Sequence, residues 1–279
     1  MLLSESWRLY AADKHLLGYS PITLTNYKLQ VDLLIRGIGD LDLEEIKTEE
    51  LKGYLASQTQ LKPSSLGMRI RSLRSLFHWA SDEGYLPKNP ASRLKEPKLG
   101  DRIPKALSDE DMERLRQACI TPFEHSLIEF FAATGCRIGE IYRLDRDDIN
   151  WTDRGCVVLG KGNKERPVFF DVPTAVWLQK YLAERKDIDP ALFVTRRAPH
   201  RMSISQIRYV VKQIAKRAEI RVNVFPHALR HTFAMEMLNG DAPMDLVREL
   251  LGHNDLRTTR IYARLTKESM RNQYRRYRH

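Results

Sequence analysis

Residues 155–170 read GCVVLGKGNKERPVFF. Cys156–Leu159 and Arg166–Phe170 are short β-like runs, and Gly160, Lys161, Gly162, Asn163 and Lys164 lie between them. That pattern predicts an antiparallel hairpin with a glycine-rich, lysine-bearing tip. Outward from it in both directions, apolar residues recur at helical spacing instead. The expected fold class is therefore mainly α with a small antiparallel β-sheet in the second half of the chain.

Upstream, four helices are expected before residue 87. The first covers Leu3–Leu17. The second is opened by Pro21 and Thr23 and runs to about Ile38. The third, Glu49–Gln58, takes Thr48 as cap, and the fourth, Leu66–Glu83, takes Ser64 or Ser65 as cap and stops at Gly84. In the fourth, Met68, Ile70, Leu73, Leu76, Phe77 and Ala80 line one side. Arg69, Arg71 and Arg74 are expected to point elsewhere, either into solvent or onto phosphate. Leu86–Lys105 then brings Pro87, Pro90, Pro97, Pro104, Gly100 and several lysines, a texture that reads as a linker. The domain division expected is 1–87 for a helical domain, 88–105 for the linker and 106–279 for a second domain.

The second domain should open with a helix capped by Ser108. Another is expected over Phe123–Ala133, ending at Gly135, and a third begins near Ile138. After the hairpin, helices are expected over about Pro173–Arg185, Ser203–Ala218, His227–Leu238 and Met244–Leu250. No internal repeat or low-complexity tract interrupts this.

Bulk properties narrow the function classes. The 279 residues carry a formal net charge of +10, which favours nucleic acid or an anionic membrane as partner. Residues 1–98 hold 14 Lys+Arg against 12 Asp+Glu, leaving 32 against 24 for the rest, so the excess lies in the second domain. Three cysteines, Cys119, Cys136 and Cys156, without a CxxC pair argue against a disulfide framework or a cysteine zinc site and fit a reducing cytosol. No apolar run approaches the ~20 residues needed to span a bilayer. The first residues meet charge too soon for a secretory signal. A cytoplasmic protein with no membrane partner is expected.

Three further stretches carry candidate chemistry. HALRH, residues 227–231, puts two histidines at i and i+4 on one helical face, a zinc-capable spacing. However, Ala228 stands where the zincin pattern has glutamate, and no third ligand is evident. The step from His227 to Arg230 also shares a face. It pairs a planar fork that can grip two oxygens of one phosphate with a group that moves protons near neutral pH. In LLGHNDLRTTRIY, residues 250–262, Gly252 ends a helix, His253 follows in the turn, and Tyr262 comes nine residues later. In TGCRIGEI, residues 134–141, Arg137 precedes Glu140 by one turn. Singly, each has a plainer role: Tyr262 in a core or interface, Arg137 paired with Glu140, Lys161 as an exposed hairpin lysine.

Taken in order, TGCRIGEI, GKGNKERPV, HALRHTFA and LLGHNDLRTTRIY resemble the motif boxes of the tyrosine recombinases, or phage integrase family, closest to the Xer-like and integrase/transposon branch. The boxes span Thr134 to Tyr262. The resemblance implies a catalytic set of Arg137, Lys161, His227, Arg230, His253 and the nucleophile Tyr262, with Glu140 in support. It also implies a two-domain C-shaped DNA clamp whose first domain is the helical, SAM-like core-DNA-binding domain. No further domain is expected ahead of that one, as would suit a simple core-site recombinase.

The implied reaction is site-specific cleavage and rejoining through a 3′-phosphotyrosyl intermediate, with strands exchanged in two steps via a four-way junction. Arg137 and Arg230 would stabilise charge on the non-bridging oxygens, each such donor being worth roughly 3–4 kcal/mol of barrier by analogy with oxyanion holes. His253 would add a third donor. A free phenol has a pKa near 10; cationic neighbours would lower that of Tyr262, and His227 would accept its proton. Lys161 would protonate the leaving 5′-oxygen. The covalent link conserves the energy of the broken bond, so neither metal, cofactor nor ATP is expected. Glu140 either orients a catalytic arginine or supplies charge at a helix N-terminus. Arg69, Arg71, Arg74 and Lys164 are the candidate DNA contacts.

The expected partners are double-stranded DNA with a specific core site and a homotetramer on that DNA, with room for a heterologous recombinase. Arg264–His279, with six basic residues against one acid, reads as a docking segment for the neighbouring protomer or as a basic tail on DNA. Two rivals stand beside this. A type IB topoisomerase would share the chemistry without site specificity, and a DNA-binding regulator would never cut. The second has no use for a tyrosine placed after a histidine in this way.

Overall fold

In Pro63–Asp82, here α4, one stripe of side chains decides how the first part of the chain packs. Ile70, Leu73, Leu76, Phe77 and Ala80 are buried at helical intervals, with Pro63 pre-setting the first turn. Around this helix lie α1 (Leu3–Leu16), α2 (Pro21–Ile38) and α3 (Thr48–Ala56). In this computed structural model the described residues are 1–98, 100, 106–160 and 164–252. The chain falls into two compact units, Met1–Arg102 and Ile103–His279.

The first unit is helical throughout its regular structure. α1 packs on α2 and α4, and α2 also meets α3. Its core joins Leu3, Tyr10, Leu34, Leu51, Leu76 and Phe77, and the Tyr10 hydroxyl shares a 2.7 Å hydrogen bond with Ser75. Three expectations change here. Leu86, Ala91 and Leu94 belong to this core, and the Thr48 hydroxyl donates to the Pro90 carbonyl at 2.8 Å. The proline-rich stretch to Leu94 is thus packed chain, since prolines preclude a helix without preventing burial of occasional apolar residues. Thr48, used in this way, is not the cap of α3. Likewise α4 starts at Pro63 rather than behind a serine cap, because proline costs nothing at the first helical position.

The second unit is built around α6 (Pro122–Thr134), whose Leu127, Ile128, Phe130 and Phe131 are fully buried. Against it pack α5 (Asp109–Gln117), α8 (Val172–Glu184), α9 (Ile204–Arg217) and α10 (Pro226–Asn239). α7 (Ile138–Arg143) contacts α9, and α11 (Met244–Leu251) contacts α10. The strands β1 (Gly155–Leu159) and β2 (Glu165–Phe169) pair antiparallel, with Cys156 opposite Val168 and Val158 opposite Arg166. Alternation along β2 buries Arg166 and Val168, turning them the same way. Side-chain oxygens of Ser108, Thr121, Asp171 and Ser203 cap α5, α6, α8 and α9. No helix among the described residues is long and apolar enough to cross a membrane.

Candidate active site

The first box is shaped by the end of α6. The Thr134 hydroxyl bonds back to the Phe130 carbonyl at 2.5 Å, and Gly135 ends the helix in the left-handed conformation at φ 58°. Only glycine suits that position on two counts: the backbone hand, and the Phe233 ring, which would lie 2.4 Å from an added Cβ. The reversal delivers Arg137 to the N-terminus of α7. Glu140, one turn on, accepts from the Arg137 backbone N–H at 2.7 Å and from its Nη1 at 2.9 Å.

Glu140 is buried, and its other main partner is Arg166 of β2, whose Nη2 donates at 2.9 Å. Burial opposes charge on this carboxylate. The Arg166 hydrogen bond, the Arg137 backbone N–H and the two cations overcome it and hold Glu140 below the usual carboxylate range.

The third box stands on α10. Arg230 is 2% exposed and reaches the Gly135 carbonyl with Nη1 at 2.8 Å and the Leu251 carbonyl with Nη2 at 2.5 Å. Both acceptors are neutral, so these contacts orient the guanidinium without cancelling its charge. One turn earlier, the His227 ring meets solvent on one side. Desolvation of the rest, together with the Arg230 and Arg137 cations, lowers its pKa and favours the neutral imidazole. The His231 ring lies 5.6 Å from it, and burial, His227 and Arg230 push that pKa down to about 4.

Three arginines from three elements meet at the end of α11. The carbonyls of Leu250, Leu251 and Gly252 accept from Arg166 (2.8 Å), Arg230 (2.5 Å) and Arg137 (2.9 Å) respectively. A helix C-terminus leaves its last carbonyls without intrahelical partners and carries a partial negative charge, so it is a fit anchor for cations. Gly252, left-handed at φ 63°, turns the chain there, and a Cβ on it would come within 3.0 Å of the Arg166 side chain. The result is a net-positive, preorganised cluster beside a neutral histidine, an arrangement able to hold an anionic tetrahedral centre.

Comparison with known proteins bears directly on this cluster. The phage integrase family matches residues 105–269, and the phage integrase N-terminal SAM-like domain matches residues 14–84. The chain belongs to the phage integrase family. Among its relatives, tyrosine recombinase XerC of Oceanobacillus iheyensis is 32% identical over 273 residues, covering 91% of this chain and 89% of that one. The crystal structure of XerA recombinase superposes with a TM-score of 0.58 at 26% identity, covering 99% of both chains. A lambda integrase tetramer bound to a Holliday junction gives 0.75 at 19% identity, covering 91% of this chain and 78% of that one, and so shares the fold. The protein is a tyrosine recombinase, an enzyme of site-specific DNA cleavage and rejoining with strand exchange.

Within this recombinase the structure brings Arg137, Glu140, His227 and Arg230 together. Lys161, His253 and Tyr262 lie outside the described residues, as does the segment 264–279. Lys164 is exposed on the strand side of the hairpin tip. Arg71 and Arg74 are exposed on α4 and pair with Glu96, at 2.5 and 3.9 Å.

Arg69 departs from expectation. It is 7% exposed, with Nε donating to Gln30 at 3.0 Å and Nη1 to Gln58 at 2.5 Å, so it is a core residue and not a phosphate contact. Met68, expected in the apolar stripe, is exposed instead. The rest of the expected stripe is buried as read, and Arg69 joins it because two glutamine carbonyls offer its guanidinium partners. Sequence reasoning missed Arg166. The signal was present, since a basic residue shares the inward phase of β2 with Val168.

Among the described residues no three His, Cys, Asp or Glu side chains are grouped to hold a metal ion.

Proposed function

We propose that Tyr262 is the nucleophile of this recombinase and that Arg137, Arg230 and His253 hold the scissile phosphate it attacks. The supporting observation is that Arg137 and Arg230 are anchored on adjacent carbonyls of the α11 terminus, Gly252 lying 115 residues from Arg137 in sequence. The chain leaves that anchor directly into His253 and the box ending at Tyr262. Neutral His227 accepts the phenolic proton, Lys161 protonates the leaving 5′-oxygen, and Glu140 fixes Arg137. The product of each cleavage is a 3′-phosphotyrosyl bond that a free 5′-hydroxyl reopens, so strands rejoin without ATP.

The first unit, residues 1–87 and their packed extension, is proposed to grip the core site. Arg71 and Arg74 there, and Lys164 on the hairpin, would contact phosphate. A tetramer holding two sites through a four-way junction is the assembly proposed, with the segment 264–279 docking between protomers. A heterologous recombinase is compatible with the same arrangement. Chromosomal or mobile DNA in the cytoplasm is the proposed setting.

A nicked suicide duplex, carrying a site selected from a random library, tests the nucleophile. Wild type should accumulate covalent adduct, and Tyr262→Phe should bind equally and form none. Adduct formation by Tyr262→Phe would overturn the assignment. Lys161→Ala should lose most activity on ordinary DNA and recover on a 5′-bridging phosphorothiolate, which departs without a proton.

A further inference from the structure

Arg166 lies on β2, on the strand that follows the lysine-bearing hairpin tip, and the boxes described above give it no role. Its side chain is 8% exposed and makes two directional contacts of different kinds. Nη2 meets the Glu140 carboxylate at 2.9 Å, and Nε meets the Leu250 carbonyl at 2.8 Å. Its stem fits against the Gly252 turn, where any Cβ would crowd it. It thus links three pieces of chain that hold the cluster: α7 through Glu140, the end of α11, and the hairpin itself.

Two physical points separate this residue from an ordinary cross-link. An apolar side chain packed beside Val168 would avoid the desolvation cost of a buried cation, and replacing buried ion pairs by apolar groups is often neutral or stabilising. In addition, Arg166 Nη1 is buried with no hydrogen-bond partner among the described residues. What the arginine uniquely supplies is geometry, because a planar fork can span a carboxylate and a carbonyl in fixed relation.

We infer that Arg166 is a positioning residue of the recombination reaction: it locks Glu140 against the end of α11 and thereby sets where Arg137 presents its guanidinium. This rests on the phosphate-binding role proposed for Arg137. Arg166 touches neither the phosphate nor the nucleophile in this scheme. It acts through Glu140, whose two carboxylate oxygens are shared between the two arginines.

Single-turnover adduct formation on the suicide duplex, alongside thermal unfolding and DNA affinity, tests it. Arg166→Met should bind DNA normally and cleave on the order of 100-fold more slowly, the scale expected for a small misplacement of a catalytic group. Arg166→Lys can reach only one of the two partners and should lose about tenfold. In an Arg137→Lys background either change should cost little more, since residues that act as a unit are non-additive.

Wild-type cleavage rates in folded Arg166→Met or Arg166→Lys would overturn the inference. So would losses that simply multiply with Arg137→Lys. If Arg166→Met fails to fold, the cycle built on Arg166→Lys decides. Absence of adduct from wild type itself would instead strike the tyrosine assignment, which keeps the two failures apart.

Discussion

Arg69 in the first unit of this recombinase and Arg230 in the second are both buried, and the two are used differently. Arg69, in the helical first unit, is held by the side-chain carbonyls of Gln30 and Gln58 and stands over the Tyr54 ring, 5.7 Å from its centroid. Arg230, in the second unit, takes backbone carbonyls at the ends of two helices, α6 and α11. The first arrangement ties α4 to α2 and to the segment after α3. The second fixes a guanidinium beside His227, Arg137 and the Glu140–Arg166 pair. Buried arginines thus serve packing in the first unit and, in the function proposed above, a reaction centre in the second. The distinguishing feature is company: Arg69 has two amides and a phenol ring, whereas Arg230 sits among charges; burial together with the arginine cations lowers His227, and the arginines hold Glu140 low against its burial.

The sharpest way to break this contrast is to remove both arginines in turn. Arg230→Ala should leave DNA binding in place and slow adduct formation by about 1,000-fold, equivalent to roughly 4 kcal/mol of transition-state stabilisation. An Arg230→Ala enzyme that cleaves at the wild-type rate would place Arg230 with Arg69, as packing.

Gly135→Ala comes next. The left-handed backbone and the Phe233 ring together should cost about 3 kcal/mol of stability in the second unit, read by denaturant unfolding. Pairing it with Phe233→Ala should cost less than the sum of the two separate losses, because the clash is then gone.

Arg69→Met should remove about 2 kcal/mol from the first unit through its two charged hydrogen bonds. It should leave the salt dependence of DNA binding unchanged. By contrast Arg71→Gln and Arg74→Gln, being exposed, should alter stability by under about 0.5 kcal/mol. Each should nevertheless lower the salt-dependence slope by about 0.9 if it meets a phosphate. A slope that falls for Arg69→Met and holds for the other two would reverse the assignment within α4.

A further expectation is a pH dependence. His231 titrates at about 4 in the folded protein, below the ordinary imidazole value. Between that value and about 6.5 the unfolded chain binds a proton that the folded chain does not. Its stabilising contribution is therefore complete above about 6.5 and declines as pH falls toward 4. His231→Asn should flatten the fall of the melting temperature across that window, and an unchanged profile would show that the imidazole is not kept neutral by its surroundings.

Periodicity, proline placement and glycine stops marked the helices and the hairpin to within a few residues. These signals are local, and the backbone answers them locally: proline enters at a first turn, as at Pro63 and Pro226, and glycine reverses the chain at Gly135 and Gly252. Helical spacing gave the pairs Arg137–Glu140 and His227–Arg230, and the resemblance of four motif boxes to the tyrosine recombinases implied that these pairs form one set. Three things were not legible in this way: Arg69 withdrawn into a core, Leu94 packed inside an apparent linker, and Arg166 joined to Glu140. Each depends on an acceptor or a cavity supplied by residues far away in the chain. Whether a guanidinium meets solvent, a phosphate or a buried carbonyl is settled by the balance of desolvation and partners at its final position, and that balance exists only once the helices have packed.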